Sequence, residues 1–381
     1  MDGTVTQRPH KARLLSRTRR IVVKVGSSTV SDMNGIKRES IASLARNLAA
    51  LHAAGKEVVV VTSGAVAAGR SRLGMKERPR TIPAKQAAAA VGQIILMALY
   101  EEYCAVHNMR VAQVLLTHDD LSNRRRYLNA KHTLLTLLEA GVIPIVNEND
   151  TVAVEEIQFG DNDNLSALVS VLVEADLLVI LSDVEGLYDQ DPRLHPQAKL
   201  IPLVEHFDAG IADTRGSAGP LGRGGMASKL EAARKATLSG IPTIIADGRQ
   251  QETLAFVFDP TAESGTLFLP VADRLTSRKH WIAYTLKPAG ELTVDAGACA
   301  AIRERGRSLL PAGIRDVRGV FDEGECVACT DDRGRVFARG LVNYNSTDLR
   351  RIKGARTSQI EEILGYKVSD EVIHRDDLAL L

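Results

Sequence analysis

A chain of 381 residues, 45% of them apolar, has ample material for a hydrophobic core, and its length favours two domains over one. Aromatics make up only 4%, so that core has to be built from Val, Ile, Leu and Ala, as in parallel α/β sheets. A net charge of +1 excludes the strongly basic balance of a polyanion binder, and apolar runs such as Val58 to Val61 and Leu177 to Leu181 fall far short of the ~20 residues of a membrane span.

At the N-terminus, Arg8, Lys11, Arg13, Arg17 and Arg19 are followed by no apolar stretch of the kind found in a secretory signal. Residues 1–19 are therefore expected to form a disordered or extended tail. From Ile21 onward, aliphatic runs bounded by turn residues alternate with helical periods, the signature of a mostly parallel sheet covered by helices on both faces. Strands are expected at Ile21 to Val25, Glu57 to Thr62, Arg110 to Leu116, Val142 to Val146, Leu177 to Leu181 and Thr243 to Ala246. Between them Ile41, Leu44, Leu48 and Leu51, and again Leu165, Leu168, Val169 and Leu172, recur at helical spacing. Gly55, Gly141 and Gly240 stand where a helix gives way to a strand, the usual place for a residue at positive φ. Beyond about residue 270 the rhythm changes to short runs, Glu291 to Val294, Gly319 to Phe321, Cys326 to Thr330 and Val336 to Val342. These predict an α/β domain over 20–272, a linker over 273–287 and a small β-rich domain over 288–381.

Four cysteines in a chain of this length form no disulfide framework, which fits a reducing cytoplasm. Cys326 and Cys329 make an isolated C-x-x-C in a strand-like segment, where residues three apart face opposite sides, so both are read as structural. The charged groups Arg124 to Arg126 and His118-Asp119-Asp120 read as solvated surface.

Four segments carry candidate chemistry. Val23-Lys24-Val25-Gly26-Ser27-Ser28 puts a lysine near a strand end, either as a plain terminator or facing an anion, since open α/β sheets bind ligands beyond the carboxyl ends of their strands. Val61-Thr62-Ser63-Gly64-Ala65 runs a strand into a helix whose exposed N-H groups favour a carboxylate or phosphate, with Ser63 as a simple cap the alternative. Asn147-Glu148-Asn149-Asp150 and Phe159-Gly160-Asp161-Asn162-Asp163-Asn164 hold more Asn and Asp than two helix caps need. In this segment Asp150 suits a substrate ammonium, Asn162 its polar groups, and Asp163 the positioning of lysines. Gly216 to Lys229, with Arg223-Gly224-Gly225-Met226-Ala227-Ser228-Lys229, is either a flexible loop or a phosphate wrap ending in a lysine, and it lacks the Walker order. Ser182-Asp183 and Gly186-Leu187-Tyr188 after another strand give that loop a nucleotide-pocket partner.

In this order the four segments resemble the amino-acid kinase family, and their wording is closest to the members that phosphorylate the side-chain carboxylate of glutamate. The resemblance runs from about Ile21 to the end, where Asn343-Tyr344-Asn345-Ser346 and Ile363-Leu364-Gly365-Tyr366 resemble a PUA module. It implies a three-layer αβα amino-acid-kinase-like domain with a mainly parallel sheet, plus a small β-rich PUA-like barrel. It also implies that Lys24, Gly26, Ser182, Asp183 and Arg223 to Lys229 bind ATP, and that Ser63, Gly64, Asp150 and Asn162 bind L-glutamate. Lys24, Lys229 and Asp163 would form the catalytic set, with Asp163 orienting the two lysines. No protein-held metal site is implied, although magnesium accompanies ATP. The family resemblance further implies the first step of proline synthesis, inhibition by proline, a homo-oligomer (dimer or tetramer) and channelling to glutamyl-phosphate reductase. Relatives often have Thr where Arg223 stands, so a guanidinium replaces a hydroxyl there. The rival readings are a kinase of the same family acting on aspartate or carbamate, and an RNA-binding factor working through the C-terminal module. Residues 288–356 carry 12 Lys and Arg against 10 Asp and Glu, which is too even for a basic binding face.

Overall fold

A computed structural model describes residues 7–32, 35–153, 162–207, 225–270, 279, 282–283, 286 and 288–381. The chain divides into two units, Met1–Leu121 with Ala130–Val271, and Ala272–Leu381 with Ser122–Asn129.

The first unit is built on an eight-stranded sheet: β1 (Arg20–Val25), β2 (Glu57–Val61), β3 (Arg110–Leu116), β4 (Val142–Glu148), β5 (Leu177–Ser182), β6 (Leu203–Val204), β7 (Thr243–Asp247) and β8 (Thr266–Phe268). All six strands expected from the aliphatic runs form. The other two, β6 and β8, are only two and three residues long and carry too little pattern to read. The sheet order is β3-β4-β2-β1-β5-β7-β8-β6, parallel throughout except where β8 meets β7. Because β2 and β5 flank β1 on opposite sides, the connections diverge there, and a crevice opens at the carboxyl ends of these strands.

Strand periodicity decides which residues face which helices. Ile21, Val23 and Val25 of β1 join Val58, Val60, Ile143, Ile145, Leu177 and Val179 in one cluster. That cluster is covered by α2 (Arg38–Ala53), through Ile41, Leu44 and Leu48, and by α4 (Ile82–Ala105), through Leu96, Leu99 and Tyr100. Val22 and Lys24 therefore face the other side. After α5 (Arg124–Glu139), the helices α6 (Asn162–Leu172) and α7 (Met226–Leu238) pack against each other on that side. Gly55, Gly141 and Gly240 all adopt positive φ at the helix ends, as the sequence pattern requires.

Helix α4 is long and apolar enough to cross a bilayer by length and composition. The run-length reading passed over it because Lys85, Gln86 and Gln93 interrupt its apolar residues, and its Leu96 and Tyr100 are in fact buried in the sheet's core. It crosses α3 (Ala65–Arg72) at backbone contact: a Cβ on Gly92 would lie 1.8 Å from the Ala65 carbonyl oxygen, and one on Gly69 would lie 1.7 Å from that of Ala88. Neither backbone can yield without moving a helix. Gly92→Ala is therefore expected to cost at least about 2 kcal/mol in urea unfolding, with an unchanged m-value.

The expectation of a disordered or extended tail fails from Gln7 onward. Residues Arg8–Leu15 form helix α1, Pro9 sits in its first turn, and both Gln7 and Lys11 are fully buried. The cationic pattern looked like a solvated tail because the carbonyls that receive Lys11 lie some 250 residues away along the chain.

In the second unit, β9 (Gly290–Val294), β10 (Ile314–Gly319), β11 (Cys326–Thr330), β12 (Val336–Leu341) and β13 (Leu378–Leu380) form a sheet of order β10-β9-β11-β12-β13. Only the β9–β11 pair is parallel. The run expected at Gly319 to Phe321 is instead the end of a strand, because Gly319 turns to φ +88° against the Ala289 carbonyl. Helices α9 (Ala296–Arg305), capped by Asp295, and α10 (Ser346–Ile352), capped by Asn345, belong to the same unit, with a shorter helix at Ile360–Leu364. Cys329 lies in the main core with Leu292 and Phe337, while Cys326 lies in a separate cluster with Leu341 and Ala379, so the two thiols do face opposite sides. Burial pushes the Cys329 thiol up to about 12. It is therefore an apolar filler rather than a thiolate.

Candidate active site

The carboxyl ends of β1, β2, β4 and β5 surround a cleft of about 370 Å³. Lys24, one residue before the end of β1, points into it from the face shared with α6. Asp163, in the first turn of α6, stands opposite with 2% exposure and forms an ion pair with the Lys24 ammonium. The second oxygen of the same carboxylate meets Lys229 Nζ at 3.3 Å and accepts the Ser228 hydroxyl at 2.7 Å, both from the first turn of α7. One buried carboxylate thus holds two buried ammonium groups that come from elements far apart in sequence.

Burial alone would raise the Asp163 carboxyl, but Lys24 and Lys229 outweigh it and hold the group well below the usual carboxylate range. The cleft consequently keeps a net positive centre of two ammoniums about one fixed anion. Gly26 lies against that centre, since a Cβ there would stand 3.6 Å from Lys24 Nζ.

On the other side of the cleft the chain turns from β2 into α3 through Gly64 at φ +109°, a conformation that favours glycine. The turn brings Ser63, Gly64 and the first residues of α3 onto the cleft wall. Asn162 ties this wall to its neighbours by donating to the Thr62 carbonyl, to Ser63 Oγ at 2.9 Å and to Asn147 Oδ1 at 3.0 Å. Asn147 in turn donates to Gln93 Oε1 at 2.8 Å. Asp150 also lines the cleft, and burial pushes its carboxyl up to about 6. An ionised carboxylate in that position gains most from an incoming cation, which restores what desolvation removed.

At the end of β5, Ser182 and Asp183 reach the same cleft, joined by a 3.0 Å hydrogen bond. Ten residues singled out from the sequence therefore meet here: Lys24, Gly26, Ser63, Gly64, Asp150, Asn162, Asp163, Ser182, Asp183 and Lys229. Gly225, Met226 and Ala227 open α7 without lining the cleft, and Ser228 acts through Asp163. Arg223 and Gly224, like Phe159 to Asp161, lie outside the described residues.

The sequence reading missed four further cations, Lys37, Arg70, Arg78 and Lys85, which also line the cleft. Arg70 could have been found, because it lies four residues after Val66 and so shares the face of α3 that begins at Gly64. The other three sit on loops and helix starts that only the fold brings together. Among the described residues no group of three or more His, Cys, Asp or Glu side chains stands together to hold a cation. The most deeply buried carboxylate of the cleft, Asp163, is already engaged by lysines.

Residues 19–247 match the amino acid kinase family, and residues 290–364 match the PUA domain. The chain belongs to the amino acid kinase family. Curated relatives named glutamate 5-kinase cover nearly its whole length. Those of Syntrophotalea carbinolica and Citrifermentans bemidjiense are each 52% identical, over 96% and 97% of this chain and 98% and 99% of their own. That of Meiothermus ruber is 53% identical over 95% of this chain and 96% of its own. As an amino acid kinase it uses a nucleoside triphosphate.

Proposed function

We propose that this amino acid kinase transfers the γ-phosphoryl group of ATP, supplied with magnesium as part of the nucleotide substrate, to the side-chain carboxylate of L-glutamate. The product would be the 5-phosphate that opens proline synthesis in the cytoplasm. The observation that carries the reading is the pair Lys24 and Lys229 sharing Asp163 beside an acceptor pocket that ends in Asp150. The names of the near-full-length relatives support the choice of acceptor.

The acceptor carboxylate has a reference pKa of about 4.3, so it is ionised at neutral pH and needs no general base. The demand is rather to bring two anions together in line and to neutralise the charge that spreads over the transferring group. Lys24 and Lys229 supply that charge, one from β1 and one from α7, and Asp163 fixes both ammoniums. The backbone N-H groups of the turns that follow Gly26 and Gly64 would add fixed dipoles. Ser182, Asp183 and the segment from Arg223 to Ser228 would hold the nucleotide. Ser63 and Asn162 would hold the acceptor's polar groups, with Asp150 on its ammonium. Feedback by proline, assembly into dimers or tetramers and transfer of the labile acyl phosphate to a reductase accompany this reading as expectations.

The reading is tested by supplying the purified protein with ATP, magnesium and hydroxylamine and offering glutamate, aspartate or carbamate separately. Hydroxamate should accumulate with glutamate, whereas preference for aspartate or carbamate would replace the assignment by one of its rivals. A second expectation concerns pH. Below about 6 the free enzyme's Asp150 becomes neutral and loses its attraction for the ammonium, so kcat/KM for glutamate should fall with a limb near that pH. Asp150→Asn should lower kcat/KM by roughly 100-fold and abolish the limb.

A further inference from the structure

We infer that the N-terminal helix α1 is a clamp that sets the nucleotide side of the cleft, with Gln7 and Lys11 as its positioning residues. The inference rests on the phosphotransferase reading only in taking Ser182 and Asp183 as the nucleotide side.

Gln7 is fully buried and uses both ends of its amide. Nε2 donates to the carbonyls of Pro202 at 3.1 Å, Ser264 at 3.3 Å and Gly265 at 3.4 Å, while Oε1 accepts the Ser264 N-H at 3.2 Å. Lys11, also fully buried, donates to the carbonyls of Phe256 at 2.7 Å and Ala262 at 2.8 Å. One helical turn therefore closes the segment between α8 (Thr253–Phe258) and β8 and joins it to the start of β6. Buried donors and acceptors of this kind are costly to leave unmet, so the segment has a single low-energy seat while α1 is docked.

The residue next to Gly265 is Thr266, and it is the seat of the strand-end loop beyond Asp183. Its hydroxyl accepts the Leu187 N-H at 2.8 Å and donates to the Ile201 carbonyl at 2.7 Å. A Cβ on Gly186 would stand 2.6 Å from that hydroxyl, so the loop rests directly on Thr266. On the other flank, the Ile201 N-H donates to the Leu187 carbonyl at 2.8 Å. Gln7 thus holds the residues on both sides of the clamp point, Pro202 and Gly265, and Thr266 passes their position to Gly186 and Leu187. That loop continues directly from Ser182 and Asp183 in the cleft. α1 itself supplies none of the residues that line the cleft, so its effect has to travel through this seat.

The test compares Gln7→Ala and Lys11→Met with Arg8→Ala, whose side chain lies on the exposed side of α1 in a surface pair with Glu263. Both buried-residue variants should raise KM for ATP about five- to twentyfold, leaving KM for glutamate and kcat at saturating ATP within twofold of the parent. Arg8→Ala should change neither constant. Direct titration with a non-hydrolysable ATP analogue should show the same loss of affinity, which separates this inference from the identity of the acceptor. Lys11→Arg, which keeps a buried cation, should recover part of the affinity. If the variants lower the melting temperature and the active fraction while KM for ATP and analogue affinity stay at the parental values, α1 is only a structural prop and the clamp is rejected. Equal rises in both substrate constants would reject it as well.

Discussion

Lys229→Ala is expected to lower kcat for phosphoryl transfer about 100- to 1,000-fold while changing KM for glutamate by less than about threefold. The lysine reaches the cleft from α7 and is held by Asp163, whereas the residues that would take the acceptor, Ser63 and Asp150, come from the turns after β2 and β4. A charge placed where negative charge gathers in transit stabilises the transition state more than either ground state, and deletion of one preorganised donor typically costs a factor of that size. Steady-state kinetics with both substrates varied separates the two constants. Lys229→Met serves as a check that a lost stem is not the cause, because it restores the volume without the charge. A rise in KM for glutamate at unchanged kcat would place Lys229 in substrate binding and remove it from the chemistry.

Some of this site could be read directly from the chain. Lys24, Ser63 and Asp150 stand at or just past the end of an aliphatic run, Asn162 and Asp163 open a helix, and a parallel sheet delivers such positions to one edge. Local pattern therefore located them without knowledge of which strands are neighbours. What local pattern could not give was the partnership. That Asp163 would take Lys24 on one oxygen and Lys229 on the other depends on α6 and α7 packing together on one face of the sheet, α6 over β1 and α7 over β5 and β7, a fact of sheet order. Gln93, which supports Asn147 from the middle of α4, left no trace in any motif. The N-terminal helix shows the opposite failure. Its cations were noticed and misassigned, because a lysine buried on three distant acceptors has the same sequence signature as one in water.

Asp163→Asn should separate the two roles of the buried triad, structural and catalytic. The substitution keeps the shape of the side chain but leaves two ammonium groups facing each other with no anion between them. Breaking a buried pair in this way costs about 3–5 kcal/mol, and here one residue breaks two pairs. Chemical denaturation should register a loss of at least that order at pH 7, together with a fall in kcat of about 100-fold or more as both lysines lose their orientation. The pH dependence follows from the depressed carboxyl. A group held below its unfolded value contributes stability that is present above the unfolded pKa of about 3.9 and is lost as pH falls through the folded value. The parent should therefore lose stability in acid more steeply than Asp163→Asn, and the gap between the two curves should begin to narrow only as pH falls below about 4. Adding Lys229→Met to Asp163→Asn removes one of the stranded charges, so the double variant should be more stable than Asp163→Asn alone while remaining inactive. A double variant no more stable than the single one would mean that the two lysines are not what the carboxylate holds in balance.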